Sequence, residues 1–109
     1  MNKVVFYEDH RGVSPVEEYI DSLKQPAEKA KVLYVLLLLE EFGVKLNMPH
    51  AKPIKDKLWE LRPGKNRLLY FAHVENQFVI LHAFRKKTRE TPKKEIVTAQ
   101  RRMQEVLEE

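Results

Sequence analysis

The chain contains no cysteine in its 109 residues. That excludes a disulfide-stapled scaffold, a thiolate metal site and a cysteine nucleophile, and it suits a reducing cytoplasm. Glycine is nearly as scarce, with Gly12, Gly43 and Gly64 standing far apart, so no glycine-rich phosphate loop is present. His10, His50, His73 and His82 share no His-x-x-x-His or Glu-x-x-His spacing, and neither a metal nor a cofactor is expected. No acidic pair stands out near the predicted strands, which argues against a glycosidase or a metal-dependent phosphatase. The longest apolar run, Val32 to Leu39, has eight residues. A membrane span needs about 20, so this run reads as a buried helix and no membrane partner is expected. The start, Met1 to Asp9, turns acidic too early for a signal peptide.

What the chain does have is ordinary packing material and an uneven charge. A hydrophobic fraction of 43% suits one packed domain over residues 1–109. Residues 1–50 carry 6 Lys and Arg against 8 Asp and Glu, whereas residues 51–109 carry 14 against 8. The stretch Arg85 to Arg102 alone holds 8 basic and 2 acidic residues. A basic half on a small domain points to an anionic partner, most often nucleic acid, or simply to a solvated basic surface.

The elements follow from periodicity and punctuation. Lys3 to Tyr7, β-branched and aromatic, predicts a first strand. Ser14-Pro15-Val16-Glu17 predicts a capped helix start, and Val16, Tyr19, Ile20 and Leu23 form one helical stripe. Pro26 opens a second helix to Phe42, apolar almost all round and therefore expected to be covered on more than one side, with Gly43 as its C-cap. Val44 to Asp56, with Pro49 and Pro53 and no clear period, reads as a loop. Strands follow over Lys57–Arg62, Arg67–Val74 and Phe78–Arg85, joined by Pro63-Gly64-Lys65-Asn66 and a tight Glu75-Asn76 turn. Both faces of the last two strands are apolar, so both should be covered. Thr91-Pro92 repeats the cap-plus-proline start, and Ile96, Ala99, Met103 and Val106 stripe a last helix to about Glu108. The predicted fold is α+β: an N-terminal strand and a helical hairpin on a small antiparallel sheet, then a final helix, in the order β-α-α-β-β-β-α.

A basic set decorates this meander: Lys57, Arg62, Lys65, Arg67, Arg85, Lys86, Lys87 and Arg89, with His82 and Tyr70 nearby. A two-residue turn at Glu75-Asn76 would place Arg67 opposite Phe84, Leu69 opposite His82 and Tyr70 opposite Leu81. Arg67, at the sheet rim, would then share a face with His82. A guanidinium fork grips a phosphodiester, and a nearby cation lowers an imidazole pKa toward a neutral base. The structural alternative is an Arg67 paired with Glu60 and a His82 satisfied in the core. Lys86-Lys87-Thr88-Arg89 can hold a backbone phosphate or offset transition-state charge, or be an ordinary solvated loop. Trp59 and Tyr70 can stack on bases or belong to the core. Lys93, Lys94, Arg101 and Arg102 read as the wet face of the last helix.

The segments LWELRPGKNRLLYFAH and FVILHAFRKKTRETPKKEI resemble the RelE/ParE toxin superfamily, and more closely its HigB-like, phage-derived branch. The resembling pieces are Leu58-Trp59-Glu60-Leu61-Arg62, Arg67, Tyr70-Phe71, Phe84-Arg85-Lys86-Lys87-Thr88 and Thr91-Pro92, within about residues 57–100. The resemblance implies a cytoplasmic type II toxin: a metal-independent endoribonuclease that cuts mRNA on the ribosome and is held inactive by an antitoxin, a small helix-turn-helix protein. In that chemistry the substrate 2′-OH attacks the adjacent phosphate. It needs a base, cations for the phosphorane and an acid for the leaving oxygen. By position Arg62 and Arg67 match phosphate-binding arginines, Lys86 and Lys87 the cationic segment, and Lys57 a basic position on the preceding strand. No counterpart of the C-terminal acid/base residue of some relatives is seen, which leaves His82 or Tyr70 for that role. A gyrase-inhibiting, ParE-like protein and a non-catalytic nucleic-acid-binding module are the alternatives.

Overall fold

The computed structural model describes residues 2–109 and has one mixed sheet sandwiched between helices. Strand β1 (Lys3–Phe6) leads to helices α1 (Pro15–Ser22) and α2 (Pro26–Phe42). Then come β2 (Ala51–Lys55), β3 (Leu58–Leu61), β4 (Asn66–Ala72), β5 (Gln77–Arg85) and α3 (Lys93–Leu107). Spatial order is β1-β5-β4-β3-β2, so the helical hairpin carries the chain from one edge of the sheet to the other, and the meander returns to it. β1 lies parallel to β5, which makes the sheet mixed; the β2–β5 ladders are antiparallel. No helix is long and apolar enough to cross a membrane among the described residues.

Local chemistry sets these boundaries. The Ser14 hydroxyl accepts from Glu17 N at 3.1 Å and Pro15 opens α1. Gly43 ends α2 at φ 55°, and its amide donates back to the Leu39 carbonyl. α3 differs from expectation at its start. Pro92 is the capping residue, and the Thr91 hydroxyl donates instead to Glu60 Oε2 at 2.6 Å.

The stretch 44–56, expected to be a loop, contributes the fifth strand. β2 is an edge strand, where Pro53 removes no needed ladder bond, and the following turn holds Asp56 at φ 52°. The sheet buries both faces, as the apolar pattern of β4 and β5 requires. Val16, Val32, Val35 and Leu39 of the hairpin pack on Leu61, Leu68, Tyr70 and Ile80. Ala99, Ile96 and Met103 of α3 cover Leu58, Leu69, Phe71 and Leu81 on the other side. The outer side of α2 departs from expectation: Leu33, Tyr34 and Leu37 are exposed.

The β4–β5 register contains two departures that cancel. The connection is a three-residue loop, since His73 N donates to Gln77 O at 2.9 Å and Asn76 sits at φ 58°. That shifts the pairing by one, so Tyr70 faces Ile80 and not Leu81. A bulge between Leu69 and Tyr70 then leaves Leu81 as an extra residue on β5 and restores the frame. Arg67 therefore does pair with Phe84, and Leu69 with His82.

Candidate functional site

On the α3 side, the loop after β5 folds back over the sheet. Together they enclose a small cleft lined by Glu60, Arg67, Lys86, Thr88, Arg89 and Thr91. Arg67 is not at the rim as expected. It is 6% exposed, and its Nη1 donates to Gly64 O at 2.7 Å and Asn66 O at 2.9 Å. The guanidinium thus clasps the 63–66 turn while its Nε stands 3.8 Å from Glu60 Oε1. Burial lowers the Arg67 pKa, Glu60 opposes that, and Arg62 adds to it; an arginine stays charged regardless. Arg62 Nε stands equally at 3.8 Å from the same oxygen and is buried without a hydrogen-bond partner. One carboxylate therefore holds two guanidiniums, neither at hydrogen-bonding distance. Lys86 is tied to the same turn by its amide, which donates to Lys65 O at 2.7 Å, while the side chains of Lys65, Lys86 and Arg89 are exposed.

His82 shares the α3 face with Arg67, but the guanidinium beside it belongs to Arg102. Arg102 Nη1 donates to His82 Nδ1 at 3.2 Å and to Leu81 O at 2.9 Å. With Nδ1 accepting, the ring proton resides on Nε2 and is donated to Glu95 Oε1 at 2.7 Å. Burial lowers the His82 pKa and Arg102 adds to that, against the opposing hydrogen bond to Glu95. The imidazole is therefore neutral at pH 7, and the Glu95 contact is a hydrogen bond rather than an ion pair. Arg102 also lies 5.3 Å from the Tyr7 ring centroid, and Tyr7 Oη donates to Glu105 at 2.6 Å. The expected wet face of α3 thus has one member turned inward. The Leu81 bulge supplies the reason, because the extra residue offers its carbonyl to α3.

The remaining cations fall into different places. Lys87 lines a second, open groove with His82, Phe84, Arg85, Lys94 and Tyr19. β1 pairs only with residues 77–80 of β5, so this groove runs beside an uncovered strand edge. Arg85 is engaged: its Nη1 donates to Glu28 Oε1 at 2.7 Å, where Asn66 Nδ2 also donates, and Tyr19 bonds Asn66. These bonds hold the Glu28 carboxyl below its usual range, and they tie the sheet end to the helical hairpin. Lys57 and Tyr70 lie on the opposite, hairpin side of the sheet, where they line a separate pocket with Trp59. Tyr70 is 3% exposed, and burial raises its phenol pKa far above the working range. The structure therefore gathers Arg67, Lys86 and Arg89, with Arg62 and Lys65 close in the fold, and leaves Lys57 and Tyr70 outside that group. Glu95 and Arg102 had no signal in the periodicity. Glu60 did have one, as a lone carboxylate in an apolar strand.

The arrangement defines a small α+β protein with a fixed, charge-bearing cleft at the junction of its last strand and last helix. Exposed lysines and arginines at the lip offer anion contacts, and buried Glu60 and Arg67 hold the floor. The cleft floor has room for about 10 Å³, enough for a single oxygen-sized group and not for a base. The family described as phage derived protein Gp49-like (DUF891) matches residues 18–104, and the chain belongs to this phage-derived family. No curated protein matches the chain.

Proposed function

We propose that this chain is the toxin of a type II toxin–antitoxin pair, of the RelE/HigB kind, and that it cleaves mRNA on the translating ribosome in the cytoplasm. The observation that carries the reading is the convergence of Arg67, Lys86 and Arg89 around one buried carboxylate at the strand-to-helix loop. The phage-derived family supports it. In this reading a backbone phosphate seats an oxygen at the cleft mouth, where Lys86 and Arg89 grip it. The substrate's own 2′-OH attacks the phosphorus, the P–O5′ bond breaks, and a 2′,3′-cyclic phosphate and a 5′-hydroxyl result. The cations offset the charge that builds on the phosphorane. Proton transfer falls to His82, whose Nδ1 lone pair is available only when the Arg102 contact opens. The partner is an acidic antitoxin, a small helix-turn-helix protein, that covers the basic cleft.

A second reading has its own observation. Both ring nitrogens of His82 are bonded within the protein and Tyr70 is on the other face, so neither residue expected to move a proton stands free at the cleft, and the exposed Glu90 carboxylate in its lining opposes an incoming anion. That favours a non-catalytic binder, either of nucleic acid or, as in the ParE-like branch, of gyrase. The test is induced expression of wild type beside Lys86→Gln/Arg89→Gln, whose exposed side chains carry no fold. Wild type should arrest growth and cut ribosome-bound mRNA to 5′-hydroxyl ends, and the variant should do neither. Growth arrest with intact mRNA and blocked supercoiling selects the gyrase reading; normal growth with unchanged translation removes the toxin reading.

A further inference from the structure

The hairpin side of the sheet carries a cavity that the cationic cleft does not use. It is about 290 Å³, near the lower end for small-molecule sites, and lies between the 3₁₀ turn Gly43–Lys45 and the faces of β3, β4 and β5. Val44, Leu46, Trp59, Tyr70 and Phe78 form its walls, and the one charged lining residue is Lys57. Tyr70 and Phe78 meet edge to face with centroids 6.2 Å apart, so the aromatic wall is fixed in place. Lys57 is exposed and makes no ion pair among the described residues. The Tyr70 hydroxyl likewise has no hydrogen-bond partner among the described residues. Burial keeps it protonated, so it is a donor without an acceptor.

The geometry points to this cavity as a binding site for a small aromatic carboxylate, its ring against Trp59, Tyr70 and Phe78 and its carboxylate at Lys57. The chemistry is specific on each count. Flat walls on an apolar cavity select a ring over a branched or polar body. A single unpaired ammonium at an otherwise apolar mouth selects one negative charge. The volume admits one ring with a short side chain. The site lies on the opposite side of the sheet from Arg67, and its occupancy does not depend on the proposed nuclease reading.

Trp59 is the single tryptophan of the chain and stands in the wall, so its emission reports the cavity directly. Titration of the full chain with 3-phenylpropionate should give a saturable change in Trp59 emission at millimolar concentration or below. The uncharged 3-phenylpropanol should bind about tenfold more weakly, the worth of one charge-assisted hydrogen bond. Lys57→Met should bring the acid down to the level of the alcohol and leave the alcohol unchanged. Ala72→Phe, at an exposed lining position, should fill the mouth and abolish both while circular dichroism stays that of the wild type. No saturable change with the wild type overturns the assignment. Equal affinity for acid and alcohol, or an acid preference that survives Lys57→Met, overturns the role of the carboxylate.

Discussion

Replacing Arg67 by alanine tests how the cleft is built. The side chain is 6% exposed and makes hydrogen bonds of 2.7 and 2.9 Å to two carbonyls of the 63–66 turn. It is also one of two guanidiniums at 3.8 Å from Glu60, whose side chain is 3% exposed. Removing it strands two acceptors and leaves a buried carboxylate with Arg62 and the Thr91 hydroxyl as its support. Losing one member of a buried charge pair costs about 3–5 kcal/mol. The remaining Arg62 puts Arg67→Ala at the low end, about 3 kcal/mol. At roughly 4–8 °C per kcal/mol for a domain near this size, the melting temperature should fall by about 12 °C or more. Arg67→Met together with Glu60→Gln removes both charges and keeps an acceptor for Thr91. That pair should lose less than about 2 kcal/mol, because the only charge left without the carboxylate is Arg62, whose side chain is 22% exposed and can turn to water. Urea unfolding followed through Trp59 and far-ultraviolet circular dichroism measures both. If Arg67→Ala unfolds within about 0.5 kcal/mol of wild type, or if the double variant loses the full sum, the reasoning about the Glu60 cluster is wrong. The same numbers show why an activity lost in Arg67→Ala cannot by itself be assigned to catalysis.

Other expectations use the same contacts. The folded His82 pKa is lowered, so the unfolded chain binds the extra proton first; stability held above pH about 6.5 should fall as the pH drops below it. Urea midpoints from pH 7.5 to about 5 should show this slope in wild type and a flatter one in His82→Gln, and equal slopes would mean His82 is not held neutral. RNA affinity should fall linearly in log–log form with salt, and Lys86→Glu or Arg89→Glu should lower it more than Lys93→Glu, which lines neither groove; equal losses in filter binding would mean diffuse attraction. Leu37 is 61% exposed on α2, so Leu37→Gln should change stability by no more than about 0.5 kcal/mol in urea.

Which parts of this molecule could be read from residue order depended on how local their causes are. The helix starts at Pro15 and Pro26 and the glycine stop at Gly43 are decided within a few residues, and they stand where capping chemistry puts them. Strand β2 was hidden because Pro53 reads as a breaker, and its place at an edge is a property of the whole sheet. The outer stripe of α2 misled in the opposite sense. Leu33, Tyr34 and Leu37 have the spacing of a buried face, but the hairpin has only one sheet to lie on. Among the site residues, the convergence of Arg67 with Lys86 follows from adjacent turns. The separation of Tyr70 from them follows from strand alternation: residues 67 and 70 differ by an odd number and must point to opposite faces.

The neighbourhood of His82 shows how a non-local feature decides chemistry. Strict alternation would send Leu81 and His82 to opposite faces, yet Leu81 packs with the α3 cluster and His82 bonds α3 residues. The bulge at Leu81 is what permits both. It also frees the Leu81 carbonyl from the ladder, and Arg102 reaches it at 2.9 Å on its way to the imidazole. Without the extra residue His82 would still stand opposite Leu69 on the α3 face, but Arg102 would have no freed carbonyl beside it to draw it inward. The three-residue loop at Val74–Asn76 compensates, so that Arg67 still meets Phe84 at the cleft. A register read on the simplest turn therefore reaches the correct pair for Arg67 and the wrong one for Tyr70. The two departures are one device: the loop shifts the frame, the bulge shifts it back, and the histidine acquires its partners directly after the bulge.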